Sequence, residues 1–348
     1  MTRSIGIIGT GSYLPDTAVG NAEIAGPAGV TSEWIETKTG IRNRRRAAPH
    51  EATSDLAAAA AQRALDQAGL TADQISYVVV ATSTPDHSQP ATASIVQHLI
   101  HADRAAAFDM NSACSGFVYA MTVGERLLQA ELDGGYALVI GADIYSRILD
   151  YSDRRTAILF GDGAGAVVLG RVPAGRGMLA ASLLTHGDQH TLISVPAGGS
   201  RQPASEHSLA TGDHFFKMDG RGVRRFVEEH LPTAVDELLE KAGVAHADVS
   251  HFVPHQANGV MLGTVWPRLG LGSATCHLEL RDHGNTGSAS IPIALDLVHR
   301  RRLLAEEDLV LLCGFGGGMS VGSALVSWAP TRCALRPATA RRELAVAG

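Results

Sequence analysis

Short runs of consecutive apolar residues alternate along this chain with longer stretches in which small and apolar residues recur every three or four positions. SIGIIGTG, YVVVAT, AAAFDM, YALVIGAD and AGAVVLG read as strands, whereas SDLAAAAAQRALDQAG, ASIVQHLI and the stretch from Cys114 to about Ala130 read as helices. Strands that are apolar throughout belong in sheets covered on both faces, so the pattern predicts an α/β protein. The series then starts again: GMLAASLLTHG, a helix through RRFVEEHLPTAVDELLEKAG, HFVPHQ, a short helix after Asn258, a helix through SIPIALDLVHRRRLL, then DLVLLCGFGGG and SALVSWA.

The two series are in register. ALDQAGLTADQISYVVVA (residues 64–81) returns as LLEKAGVAHADVSHFVPH (residues 238–255), with Gly243 and Val249 each 174 residues after Gly69 and Ile75. The same offset sets Ala81 opposite His255, Asn111 opposite Asn285 and Cys114 opposite Ser288, and an offset of 173 sets Gly141 opposite Gly314. Two large copies with divergent polar residues predict a fused pair of similar halves, residues 1–170 and 171–330, with a site between them. Residues 185–213, rich in Gly, Ser, His and Pro, read as a surface excursion of the second half. Residues 331–348 have no counterpart in the first copy and read as a loosely held tail.

Composition narrows the function. A net charge of −6 argues against a nucleic-acid partner, which would demand a basic excess. The local run Arg42, Arg44, Arg45, Arg46 is read as a solvated face, with a phosphate-bearing ligand as the alternative. The opening MTRSIGIIGTG lacks the form of an export signal, no apolar run reaches membrane-spanning length, and four cysteines without CxxC spacing fit reduced thiols, so a cytoplasmic protein is expected. The scattered histidines match no metal motif, and Gly9-Thr10-Gly11 fails the dinucleotide fingerprint because Leu14 stands where Gly or Ala is needed.

Three residues invite a chemical reading. Cys114, in FDMNSACSGF, sits where a strand gives way to a helix, and a thiol at a helix N-terminus is expected to have a lowered pKa. His255 ends the apolar run HFVP, and Asn285 lies in the Gly- and Ser-rich turn DHGNTGSAS that opens a helix. A structural histidine and a helix-capping asparagine are the ordinary readings of the last two when each is taken alone. The register changes that, because all three fall at strand ends of the two central elements and would converge. GFGGGMSVG follows a buried strand, and its backbone near Gly316 is read as an oxyanion hole, tight strand passage being the alternative.

With these motifs in hand, the chain resembles the β-ketoacyl-acyl carrier protein synthase III family of the thiolase superfamily. The resemblance spans about residues 3–329 and rests on EWIETKTGIRNRR, DMNSACSGF, SRILDYSDRRTAILFGDGAGAVVL, VPHQAN, GNTGSASIP and GFGGGMSVGSALV, in that order. It implies a duplicated αβαβα five-layer fold, a homodimer, and a Cys-His-Asn site at the end of a phosphopantetheine tunnel. Cys114 would take the acyl group from an acyl-coenzyme A starter, and His255 and Asn285 would hold the thioester oxygen of malonyl-acyl carrier protein, the two thioesters being substrates and no cofactor being required. Gly316 and the Cys114 amide would form the oxyanion hole, Trp34 and Arg154 would contact the adenine end of coenzyme A, and Lys38, Gly220 and Asn258 would line the pantetheine path.

The chain departs from the family pattern at four places. Lys38 replaces an arginine, Val260 replaces the arginine after HQAN, Arg224 stands where phenylalanine is usual, and Gln89 replaces the aromatic that reaches across the dimer into the partner's acyl pocket. Arg221, Arg224 and Arg225 are therefore expected to attract an acidic carrier protein, and Gln89 points to a starter other than plain acetyl, as in polyketide priming. Acyl transfer to a small-molecule or carrier acceptor without condensation is the alternative. Retention of Asn285 favours condensation, the α/β repeat and the absence of a QxxCGSCW-type context disfavour a papain-like peptidase, and the survival of Cys114, His255 and Asn285 together disfavours a non-catalytic partner subunit.

Overall fold

The structure is a computed structural model that describes residues 3–131 and 134–329, so the expected tail lies outside the described residues. Two five-stranded sheets carry the fold. The first contains β1 (Ile5–Tyr13), β4 (Ile75–Ala81), β5 (Ala106–Met110), β6 (Tyr136–Ile144) and β7 (Asp162–Arg171), in the order β5-β4-β6-β7-β1. The second contains β8 (Gly177–Thr185), β11 (His251–Pro254), β12 (Thr275–Cys276), β13 (Leu309–Gly316) and β14 (Ser320–Ser327), in the order β12-β11-β13-β14-β8. In both sheets the first two pairings are parallel and the last two antiparallel. The sequence offset thus corresponds to one topology used twice.

Three separate packings make the layers. Helices Thr53–Ala68 and Thr92–Leu99 cover the outer face of the first sheet, with Leu56, Ala60, Ala64 and Val96 packed on Val78, Val80 and Leu138. Helix Gly220–Ala242 covers the outer face of the second through Phe226, Val227, Leu231 and Leu238, over Phe252 and Leu311. Between the sheets lie helices Gly116–Ala130 and Ser290–Arg300, whose Phe117, Met121, Ile291 and Leu295 meet Val79 and Val139 on one side and Val253 and Leu312 on the other. This is the αβαβα thiolase-type arrangement. The central strands β4, β6, β11 and β13, covered on both faces, explain why their sequences read as nearly continuous apolar runs. Among the described residues no helix is long and apolar enough to cross a membrane.

Two short ribbons modify the sequence reading. Three arginines of the run, Arg44 to Arg46, lie in β3 (Asn43–Arg46), paired with β2 (Thr17–Gly20). Arg44 is not on a solvated face: it is buried and donates to Asn21 Oδ1 and the Ile158 carbonyl, both at 2.8 Å. Burial lowers its pKa to about 10, so the charge is kept by hydrogen bonds and not by water. Arg42 pairs with Glu36 and Arg46 with Glu23. The expected surface excursion is also more than surface, since β9 (Ile193–Ser194) pairs with β10 (Lys217–Met218) and turns Ile193 and Met218 into the wall of a cavity.

Candidate active site

The geometry of the site follows from how each half presses a glycine against the other half's turn. A Cβ at Gly141 of β6 would lie 2.4 Å from the Ser288 carbonyl oxygen, and one at Gly314 of β13 would lie 2.7 Å from Ser115 Cα. These are the two glycines that the repeat sets opposite each other. Only a residue without a side chain lets the central strand of one sheet touch the strand-to-helix turn of the other half. The two turns therefore meet at the seam.

The first turn carries the nucleophile candidate. Chain leaving β5 passes Asn111, whose side chain accepts from the Ala113 N–H at 3.2 Å, and Ala113 adopts φ 44°, a left-handed conformation uncommon for a side-chain-bearing residue. Residues Ala113–Ser115 make one 3₁₀ turn before helix Gly116–Ala130 begins. Ser115 Oγ locks the turn to the Ser112 carbonyl at 2.7 Å and to Ser320 Oγ at 2.6 Å. Gly316 closes against Cys114, where a Cβ would come within 2.9 Å of the Cys114 nitrogen.

His255 follows β11 directly, its N–H donating to the Cys313 carbonyl at 2.7 Å and its ring lying edge-on to Phe315 at 5.2 Å. Nδ1 is 2.7 Å from Ser290 Oγ, and burial lowers the imidazole pKa to about 3, so the ring is neutral. Asn285 is held by its backbone between the Leu159 carbonyl and the Gly161 N–H, each at 2.9 Å, while its Oδ1 accepts from the Gly287 N–H at 2.9 Å. With the oxygen so occupied, the Nδ2 end is the one left to donate.

Cys114, His255, Asn285 and Gly316 line one cavity of about 270 Å³. Trp34, Lys38, Arg154, Gly220 and Asn258 line the same cavity toward its mouth. Arg154 lies over the Trp34 ring at 5.9 Å, leaving a cation and an indole face at the entrance. Asn258 is engaged in the fold, since its Oδ1 caps helix Gly259–Val265 through Val260 and Met261 and its Nδ2 donates to the Lys38 carbonyl at 3.2 Å. Gln89 is exposed and does not line its own chain's cavity. Arg221, Arg224 and Arg225 are exposed on the first turns of helix Gly220–Ala242, with Arg224 paired to Glu228 at 2.6 Å.

One expectation is reversed. The Cys114 thiol is not lowered by the helix terminus; burial, reinforced by Asp143, pushes it up to about 12. A helix end contributes about 0.3–1 kcal/mol, against roughly 4 kcal/mol for moving a thiol from 9 to about 12. The Tyr145 hydroxyl hydrogen-bonds the sulfur and pulls the other way without prevailing. We predict that alkylation of Cys114 by iodoacetamide rises about tenfold per pH unit from pH 6 to 9. A plateau near neutrality, read by mass spectrometry, would show a thiolate already formed.

Comparison with known proteins decides what this arrangement belongs to. Residues 108–187 match the family model described as 3-oxoacyl-[acyl-carrier-protein (ACP)] synthase III, and residues 239–328 match its C-terminal model. The chain is 54% identical over 324 residues to acetoacetyl CoA synthase NphT7 of Streptomyces sp. strain CL190, covering 92% of this chain and 98% of that one. It is 40% identical to the β-ketoacyl-[acyl-carrier-protein] synthase III of Caldanaerobacter subterraneus, covering 93% and 97%. This chain belongs to the β-ketoacyl-acyl carrier protein synthase III family. Among solved structures, the synthase III of Aquifex aeolicus superposes with TM-score 0.84 at 34% identity over 93% of this chain and 100% of that one. The priming β-ketosynthase of the R1128 polyketide pathway gives 0.86 at 32%, covering 93% and 96%.

As a synthase III it is an acyl-transferring condensing enzyme. Its site holds residues that the motifs did not single out. Asp143 is fully buried two positions after Gly141 and accepts from Ser288 N and Oγ at 2.8 and 2.7 Å, from Ser83 N at 2.8 Å and from Thr84 Oγ at 3.0 Å. It ties the Asn285 turn to the loop after β4. Tyr145 stacks on Phe160 at 4.4 Å, and its hydroxyl joins Cys114 to Ser83 Oγ, the latter at 2.9 Å. The aspartate ending YALVIGAD was a visible signal, because a carboxylate beside a buried strand needs partners. Nothing in the sequence signalled Tyr145.

Proposed function

We propose that this synthase loads an acyl group from an acyl-coenzyme A onto Cys114 and condenses it, with loss of carbon dioxide, with malonyl-acyl carrier protein in fatty acid or polyketide biosynthesis. The observation that carries this reading is the shared cavity, in which one thiol faces two neutral groups with N–H donors to offer. In the first step the Cys114 sulfur adds to the thioester carbonyl, coenzyme A departs, and the thiol proton ends on the departing sulfur. The Cys114 and Gly316 amides would stabilise the oxyanion. In the second step malonyl thioester loses carbon dioxide, and His255 and Asn285 donate to the enolate oxygen. The enolate carbon attacks the acyl carbonyl, and Cys114 leaves as thiolate and takes up a proton from water. No carboxylate base is needed.

The Trp34 ring and Arg154 guanidinium suit the adenine and phosphates of coenzyme A, with Lys38, Gly220 and Asn258 along the pantetheine arm. Arg221 and Arg225 supply positive charge for a carrier protein; Arg224 is already paired with Glu228. Gln89, outside its own cavity, would act in a partner subunit of a homodimer. Reduced Cys114, Cys276 and Cys313 fit a cytoplasmic enzyme.

A second reading places the extender on coenzyme A. Val260, exposed where a cation was expected, weakens the carrier-docking face, and the relative that is 54% identical is named an acetoacetyl CoA synthase. Incubation with a panel of acyl-coenzyme A esters, followed by intact-mass analysis, names the starter as an increment on Cys114. Carboxyl-labelled malonyl-coenzyme A and malonyl-acyl carrier protein are then supplied separately. Labelled carbon dioxide from the carrier-bound extender supports the first reading, release from the coenzyme A ester alone supports the second, and release from neither excludes condensation.

A further inference from the structure

We propose that Ser290 is a positioning residue that fixes His255 as its Nε2–H tautomer, so that the imidazole presents a donor, and not a lone pair, to the extender thioester oxygen. Ser290 opens helix Ser290–Arg300, and its Oγ lies 2.7 Å from His255 Nδ1. The same Oγ accepts from the Gln256 N–H at 3.3 Å. A hydroxyl has one proton to give, and Nδ1 is its hydrogen-bond acceptor among the described residues. If Nδ1 carried the proton instead, Ser290 would accept twice and its own hydrogen would be buried without a partner, which is costly. The arrangement that satisfies all three groups is Gln256 N–H to Ser290, and Ser290 O–H to Nδ1. Nε2 must then bear the hydrogen.

That choice matters because of Asn285. Its Oδ1 is held by Gly287, so Nδ2 is its free donor, and a second donor from His255 gives the cavity a pair of donors for the extender oxygen. The opposite tautomer would set the Nε2 lone pair against a developing negative charge. Ser290 reaches the reaction only through the ring it holds, since it does not line the cavity. It sits in the repeat of small residues that opens this helix, where a serine would otherwise pass as packing.

The inference rests on the proposed role of His255 in condensation, and its test has a readout that needs no substrate. In protein labelled with ¹⁵N-histidine, with His255 assigned by its loss in His255→Asn, the Nε2 resonance is expected to be protonated and the Nδ1 resonance unprotonated. Ser290→Ala should mix the tautomers and lower the condensation rate about 10–100-fold, the loss typical of removing a partner that orients a histidine. Loading of Cys114 by acyl-coenzyme A should stay within about twofold, because that half-reaction does not use the His255 donor. Ser290→Thr, which keeps the hydroxyl, should restore both tautomer and rate. A protonated Nδ1 in the unaltered protein overturns the proposal, as does an equal slowing of loading and condensation in Ser290→Ala. Absence of carbon dioxide release in the unaltered protein would sink the condensing reading while leaving the tautomer measurement to stand or fall by itself.

Discussion

Replacing Cys114 by serine is expected to lower turnover by on the order of 10⁴-fold or more, about 5 kcal/mol in the barrier. The exchange changes one atom in a buried turn whose geometry is set by Ala113, Ser115 and Gly316, so the fold should persist with a melting temperature close to the original. Reactivity should not. Burial and Asp143 already hold the thiol up to about 12, and an alcohol starts far less acidic in the same place. Nothing in the cavity compensates as a base: His255 is neutral, but the tautomer that donates to substrate has its accepting nitrogen engaged by Ser290. Intact-mass analysis after exposure to acyl-coenzyme A should show no adduct on the serine protein. An adduct of normal size and rate would mean that the acyl group is carried elsewhere, and the shared cavity would lose its meaning as a reaction site.

The seam was legible in the sequence because duplication preserves spacing. Gly141 and Gly314, Cys114 and Ser288 could be paired by counting, and in the structure each glycine admits the opposite turn to within van der Waals distance. Strand identity was equally open to reading, since strands covered on both faces read as nearly continuous apolar runs, and the few polar residues they hold, such as Asp143, are hydrogen-bonded. The failures have a common cause. Arg44 looks like any surface arginine until the Asn21 and Ile158 partners are seen, because burial of a charge is decided by where its hydrogen bonds go and not by its neighbours in the chain. The thiol pKa was misjudged for the same reason. The helix terminus beside Cys114 is visible in the sequence, but the cavity wall around it is built by Tyr145, Ile193 and Phe315 from three other segments. Ile193 comes from a stretch whose composition gave no hint that it would fold over the site.

Asn285→Asp offers the sharpest separation of the two half-reactions. Aspartate keeps an oxygen to accept from the Gly287 N–H at 2.9 Å, so the turn retains its internal bond. What it loses is the Nδ2 donor, replaced by a second oxygen with no proton to give. Losing one such donor costs about 10²–10³-fold, and a carboxylate beside an enolate adds repulsion. The expected result is a condensation rate down by about three orders of magnitude with Cys114 loading within severalfold of the original, so that acyl-enzyme accumulates and can be weighed. Two quantities therefore move apart: carbon dioxide release collapses while the mass increment persists. Equal loss of both would place Asn285 in the scaffold of the nucleophile turn, a role open to it through the contact of Gly287 with Asp143 and Tyr145. Retention of both would leave His255 as the sole donor, and the geometric argument for a paired site would fail.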